Sequence, residues 1–226
     1  MKSIITIKEL KKKYPNLANT LDYYYPLGIK MEDPIYKEYV GNQALNSIIE
    51  ENILNNEIFV SRWEKDFLGE LEKRINRKII GATLGLVPNI GGLIELYESD
   101  DLCELHQIHF YVSLIKNYYS IQFVKSNKYM KHQRGNIGWG TEELIVSPVD
   151  NYYKELFLEI ENYIREKLPD AKFLPYSIEC LKLEGLQVNY SVLEDCEIGR
   201  GFFHKFFAYE AKKVIGDINY RIEEID

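Results

Sequence analysis

Between Ile108 and Lys125 apolar and polar positions alternate in a way that pairs with itself when the chain folds back at Lys116-Asn117. In that pairing Leu114 stands opposite Tyr119, Val112 opposite Ile121 and Phe110 opposite Phe123, so six apolar or aromatic residues share one face, as a strand's period of two requires. The other face carries Ser113 with Ser120, Tyr111 with Gln122 and His109 with Val124. A slip of one residue would scatter both sets, so the register is well specified. The pattern predicts a β-hairpin at the centre of the chain. Its mixed face, Tyr111, Ser113, Ser120 and Gln122 with His109 at the end, is expected to be an exposed strip.

The same reading divides the chain into a helical part, 1–76, and a sheet-rich part, 77–226, within a single domain. Ile4 to Lys13 and Leu17 to Tyr25 read as short helices, separated by Pro15 and closed by Pro26 and Gly28. Asp33 followed by Pro34 is a helix start with proline at the first helical position. A long amphipathic helix is expected from Ile35 through Ile53, interrupted near Gly41. Ser61-Arg62-Trp63-Glu64 has the form of a capping box, followed by Trp63, Phe67, Leu68, Leu71 and Ile75 at helical spacing. From Lys78 the period changes to two. Ile79–Leu84 and Leu93–Tyr97 are predicted strands around a Val87–Gly92 loop. A polar loop over 125–140 and a short strand at Leu144–Val146 follow the hairpin. Asp150 is placed to cap a helix carrying Tyr153, Leu156, Phe157, Ile160 and Ile164, which stops at Leu168-Pro169. Leu186–Val192 and Ile218–Ile222 alternate as strands, and Phe202, Phe203, Phe206 and Phe207 fit a short helix. The expected fold class is α+β: a mostly antiparallel sheet with a long helix packed on it, after a helical first third.

Composition narrows the class more than the chemistry. The chain has 226 residues, 46% hydrophobic and 28% charged, a balance that belongs to folded proteins. No apolar run approaches the roughly 18 residues of a membrane helix, and the lysine-rich start lacks a signal-peptide core. Three cysteines, Cys103, Cys180 and Cys196, without CxxC spacing argue against a disulfide framework or a zinc ribbon. A cytoplasmic location is the resulting expectation. The net charge of −7 weighs against a general nucleic-acid binder. Eighteen tyrosines fit an AT-rich coding sequence, and on exposed strands they would supply stiff contact area for an interface.

Tests for catalytic chemistry find little. His106 and His109, three apart on a strand, fall on opposite faces and cannot share a metal as neighbours. The glycines at 81, 85, 91 and 92 lack the Lys-Ser/Thr of a phosphate loop. Gln133-Arg134-Gly135-Asn136-Ile137-Gly138-Trp139-Gly140 resembles in part the Gln/Arg-x-x-Gly-x-Gly/Ala pyrophosphate loop of the GNAT acetyltransferases. Gly138-Trp139-Gly140 would need Gln or Arg at 135, which is glycine, so the stretch reads instead as a loop presenting Trp139 to a partner. Lys125, Lys128, Lys131 and Arg134 make the segment locally basic. Carboxylates gather at Glu95, Glu98, Asp100, Asp101 and Glu104, and again at Glu184, Glu194, Asp195 and Glu197, without calcium-loop spacing.

These readings converge on a protein-binding module without cofactor or metal. Its partner is expected to be another, basic protein rather than a membrane or a nucleic acid, met by Glu98, Asp100, Asp101, Tyr111, Gln122 and Trp139 through charge steering and tyrosine burial. Bacterial toxin-immunity proteins have this general character, acidic and built to plug a toxin. Two alternatives are an enzyme or phosphate-ligand binder using the 125–140 loop, with His109, His132 and Arg134 in one pocket, and an assembly subunit acting through its helical first third.

Overall fold

A computed structural model describes residues 3–84, 86–99, 104–131, 136–150, 153–189, 191, 193, 195–203 and 211–225, with the backbone alone described at 128–131 and 136–139. A two-residue strand, β1 (Ile4–Ile5), leads into α1 (Ile7–Lys13). A capping box opens α1: the Thr6 hydroxyl accepts from the Glu9 N–H at 3.2 Å, and the Glu9 carboxylate accepts from the Thr6 N–H at 2.9 Å. Pro15 then starts α2 (Pro15–Tyr24). Asp33 caps α3 (Pro34–Glu38), accepting from the Ile35 N–H at 2.9 Å. Tyr39 turns extended, with ψ 124°, before α4 (Val40–Ile49), so the long helix expected from Ile35 is two. Gly41 belongs to packing: a Cβ there would sit 1.6 Å from the Tyr23 carbonyl oxygen, so only glycine lets α4 close on α2.

Glu50–Leu54 continues α4 as a π-helical turn. After Asn55, α5 (Asn56–Ile58), a π-helical stretch (Phe59–Leu68) and α6 (Gly69–Ile75) run without a break. The helix start read at Ser61 is corrected to Asn55, whose side chain accepts from the Ile58 N–H at 3.3 Å. Ser61, already inside the helix, donates to the Glu57 carbonyl one turn back at 2.8 Å. Asn76, in the left-handed region at φ 51°, ends it.

The main sheet follows. Its strands are β2 (Ile80–Gly81), β3 (Asn89–Ser99), β4 (Glu104–Ser113), β5 (Tyr118–Lys131) and β6 (Asn136–Ile145). The helix α7 (Lys154–Lys167), the short β7 (Lys172–Phe173), α8 (Tyr176–Glu179), β8 (Lys182–Leu183), α9 (Ile198–Phe202) and β9 (Lys213–Ile215) complete the elements, before a 3-10 turn at Ile222–Glu224. The sheet order is β2-β3-β4-β5-β6-β9, with β7 beside the start of β5; β1 and β8 pair separately. Neighbours are antiparallel from β2 to β6, and β9 joins in parallel. The fold is α+β, as expected.

The central hairpin forms with Val112 opposite Tyr119, Phe110 opposite Ile121 and Ile108 opposite Phe123, two residues away from the expected register. A two-residue shift keeps every side chain on its face, and the alternation therefore cannot detect it. The turn explains the shift. Lys116 and Asn117 both take positive φ, as in primed hairpin turns. Ahead of them, Leu114 donates its N–H to the Pro88 carbonyl at 2.7 Å, and Ile115 donates to the Ser113 hydroxyl at 3.2 Å. Both residues thereby leave the ladder with β5.

Both faces of the sheet are covered. On one, Ile90, Ile94, Ile108, Phe110, Val112, Tyr119, Ile121 and Phe123 pack against the π-helical stretch, α6 and α7. On the other, Tyr111 lies beside Phe203 in an apolar cluster that includes Leu10, Leu17, Leu21, Leu186, Ile198 and Phe202. The strip read as exposed is therefore interior: Tyr111, Ser113, Ser120, Gln122 and His109 are all at most 5% exposed. The early and late helices supply a second layer that hairpin alternation does not reveal.

Five further expectations are corrected. The polar loop over 125–140 is a ribbon, since β5 and β6 run through it as far as the Lys131–Asn136 pair. Leu186–Val188 is loop rather than strand, its Gln187 carbonyl taken by the Tyr36 hydroxyl; Tyr190 and Val192 lie outside the described residues. The closing strand is β9, and Ile218–Ile222 is a turn. Asp150 pairs with Lys154, and Tyr153 is the residue before α7. Of the four phenylalanines read as a helix, Phe202 ends α9, Phe203 is extended just after it, and Phe206 and Phe207 lie outside the described residues. Among the described residues no helix is long and apolar enough to cross a membrane.

Candidate functional site

Exposed polar and aromatic side chains gather at the far end of β3. Here β2 pairs only with Leu93 and Gly92, whereas β3 runs on to Ser99. Among the described residues no strand pairs with Ile94–Ser99 on that side, so this stretch is an edge of the sheet. The register between β3 and β4 shifts between Glu95 and Tyr97, a bulge that sets Tyr97 opposite His106 and blunts the edge. Glu95 and Glu98 are exposed, and Tyr97 keeps 42% of its surface open.

An aromatic stack supports Tyr97 from below. Its ring lies 5.2 Å from His106, His106 lies 5.7 Å from Phe123, and Phe123 stacks on Tyr153 at 3.9 Å. Tyr153 reaches this stack because it immediately precedes α7, and its hydroxyl is 2.9 Å from His106 Nδ1. On the neighbouring strand positions Glu104 bonds Lys125 Nζ at 2.8 Å and stands 3.6 Å from His106 Nε2. Lys125 holds the Glu104 carboxyl below its ordinary range, and Glu104 in turn raises Lys125. Desolvation, helped by the Lys125 charge, pushes the His106 imidazole down. At neutral pH His106 is therefore an uncharged plate within the stack. That arrangement fixes the position of an exposed tyrosine, with carboxylates on either side of it in sequence.

The residues singled out from the sequence are distributed as follows. Glu98 is at this edge, and Asp100 and Asp101 lie outside the described residues, between the last β3–β4 pair, Ser99 and Glu104. Trp139 occupies the β6 position opposite Lys128; its side chain is outside the description. Tyr111 and Gln122, expected at the contact surface, are 5% and 3% exposed and serve the interior. His109 is 3% exposed, with Nε2 3.1 Å from the Gln107 amide oxygen. His132 and Arg134 lie outside the described residues. Tyr97, His106 and Tyr153 were not singled out as a site. The available signal was an aromatic residue between acids at the end of a strand, Glu95-Leu96-Tyr97-Glu98.

Two buried carboxylates belong to the scaffold. Glu161, fully buried, accepts from Tyr119 at 3.0 Å, Tyr220 at 2.8 Å and Arg221 Nε at 2.7 Å. Glu179, 2% exposed, accepts from Gln122 Nε2 at 2.8 Å. Burial pushes the Cys196 thiol up to about 11, away from nucleophilic thiolate chemistry. Among the described residues no three His, Cys, Asp or Glu side chains are grouped to hold a metal ion. The chain matches no protein-family model, no curated protein and no solved structure.

Proposed function

We propose that the protein is a binding module that docks a basic protein partner on the free end of β3. The observation that carries this reading is Tyr97: an exposed aromatic residue, held by the His106–Phe123–Tyr153 stack, between exposed Glu95 and Glu98. Rigid tyrosines make good interface anchors because they bury much area for little lost rotamer freedom. Clustered carboxylates on a chain of net charge −7 steer a positive partner and speed its approach. Asp100 and Asp101 extend the acidic run in sequence. In its specific form the reading is of an inhibitor that covers a basic enzyme, as toxin-immunity proteins do.

The test is affinity capture from the native host with wild type and with two variants, Tyr97→Ala and the charge reversal Glu98→Lys/Asp100→Lys/Asp101→Lys. A basic protein retained by wild type should be lost by the first variant. With the second, its association should slow and depend less on salt. Equal capture by all three, or rates independent of salt in wild type, overturns the reading.

A further inference from the structure

A wide cleft of about 750 Å3 runs between α2 and the turn of the central hairpin. One wall is a stripe of α2. Leu17, Ala18 and Leu21 face the core and are fully buried. That leaves Asn16, Asn19, Thr20 and Tyr23, at i, i+3, i+4 and i+7, along a neighbouring face of the helix. The other wall is the turn Lys116-Asn117 with Asp170 and Lys172 at the entry to β7. Backbone bonds hold this wall in place: Lys172 pairs with Tyr118 across β5 and β7 and donates its N–H to the Asn117 carbonyl at 3.1 Å.

The lining mixes three kinds of group. Tyr23 keeps 53% of its surface open, and its ring meets Tyr24 edge to face at 4.9 Å and 84°. The pair therefore offers a platform and not a parallel slot. Asn19, Lys116 and Asp170 are exposed. Thr20 is buried, its hydroxyl donating to the Asn16 carbonyl at 2.8 Å, so it contributes surface and not a ligand contact. An amide presents donors and an acceptor together, a carboxylate only accepts and an ammonium only donates. Ligand hydroxyls, which both donate and accept, can be satisfied by such a mixture.

Size and charge narrow the choice. At roughly 30 Å3 for each water-sized unit, the cleft holds about twenty-five heavy atoms. A free amino acid would fill less than half of it. An apolar ligand would dehydrate Asn19 and Asp170 without replacing their hydrogen bonds. A phosphate would meet the Asp170 carboxylate two residues from Lys172, a like-charge contact. A sugar ring can lay its weakly positive C–H bonds on the negative face of a tyrosine. We propose that this cleft binds a neutral saccharide of disaccharide size, one ring on Tyr23 and its hydroxyls toward Asn19, Asp170 and Lys172. The proposal is independent of docking at Tyr97.

Maltose, cellobiose, lactose and N,N′-diacetylchitobiose are the probes, titrated into the full chain by NMR. Adenosine monophosphate is the rival, able to set a base on Tyr23 and a phosphate on the lysines. At least one disaccharide should bind saturably below about 10 mM. Its affinity should not change between about 50 and 500 mM salt, because the ligand carries no charge to screen. Tyr23→Ala should weaken binding about tenfold through loss of the ring contact. Asp170→Ala should weaken it by about as much through loss of a charge-assisted bond, and Asn19→Ala severalfold. All three positions are exposed, so the variants should fold. Tyr97→Ala should leave binding unchanged. The proposal is overturned if no disaccharide binds saturably, if Tyr23→Ala keeps full affinity, or if adenosine monophosphate binds more tightly than every disaccharide.

Discussion

The two faces of the main sheet are equally buried and differently made. Under α6, α7 and the π-helical stretch the interior is a continuous apolar layer, Ile90, Ile94, Ile108, Phe110, Ile121 and Phe123 among it. Under α1, α2 and α9 the same strands bury His109, Tyr111, Ser113, Ser120 and Gln122. An antiparallel sheet commonly leaves its more polar face to water. Here the second layer contributes hydrogen-bonding partners as well as apolar surface, with Glu179 of α8 meeting Gln122 at 2.8 Å. Polarity along a strand thus identifies a face that must be satisfied, and water is only one way to satisfy it.

The apolar face has its own polar lock, and breaking it should have a large effect. Arg221 pairs with fully buried Glu161 at 2.7 Å. Removing the cation in Arg221→Met strands a buried carboxylate, which costs about 3–5 kcal/mol for a fully buried pair. Because the Arg221 side chain is 27% exposed, a loss of about 2–4 kcal/mol is expected in urea denaturation. A neutral result would mean that water reaches Glu161.

On the polar face Gln122→Leu removes the Glu179 donor without changing the strand. Because the Ser120 hydroxyl still reaches Glu179 at 3.4 Å, losing this one hydrogen bond should cost about 0.5–1.5 kcal/mol, measured in the same way. If leucine stabilises the protein instead, the polar face is an ordinary core with incidental polar atoms, and its contrast with the other face is lost.

The smallest effect belongs to the edge beyond both faces. The folded His106 imidazole titrates below its ordinary value, so around pH 6.5 and below the unfolded chain binds the proton more readily than the folded one. The stability contributed by neutral His106 is complete above about pH 6.5 and declines as pH falls toward the folded value. His106→Gln should flatten that slope in denaturation measured across pH 5 to 8. A slope of opposite sign would place His106 beside a carboxylate that dominates it.

How much of this was legible in the sequence follows from what each signal reports. Asp33-Pro34 marked a helix start because capping is local, and α7 was found because its apolar spacing is strong. Hairpin parity was readable, but the register was not, since a two-residue shift leaves parity intact. Ser61 imitated a cap inside a helix that Asn55 had already begun. β9 takes its place by parallel pairing with β6, and Tyr111 packs beside the distant Phe203. Neither is visible in a local window. The candidate site was half visible: its acids were noted, but Tyr97 gains its meaning from the early end of β2 and from a stack that brings Tyr153 to His106.

The most direct measurement is the stability of Tyr111→Ala. Were Tyr111 part of an exposed strip, the substitution would change stability by no more than about 0.5 kcal/mol. Tyr111 is 5% exposed and packs beside Phe203, with Gly91 kept free of a side chain under its ring. Urea denaturation should therefore show a loss of about 3–5 kcal/mol, as for truncation of other core aromatics. A change within 0.5 kcal/mol would show the second face open to water and contradict the two-sided interior.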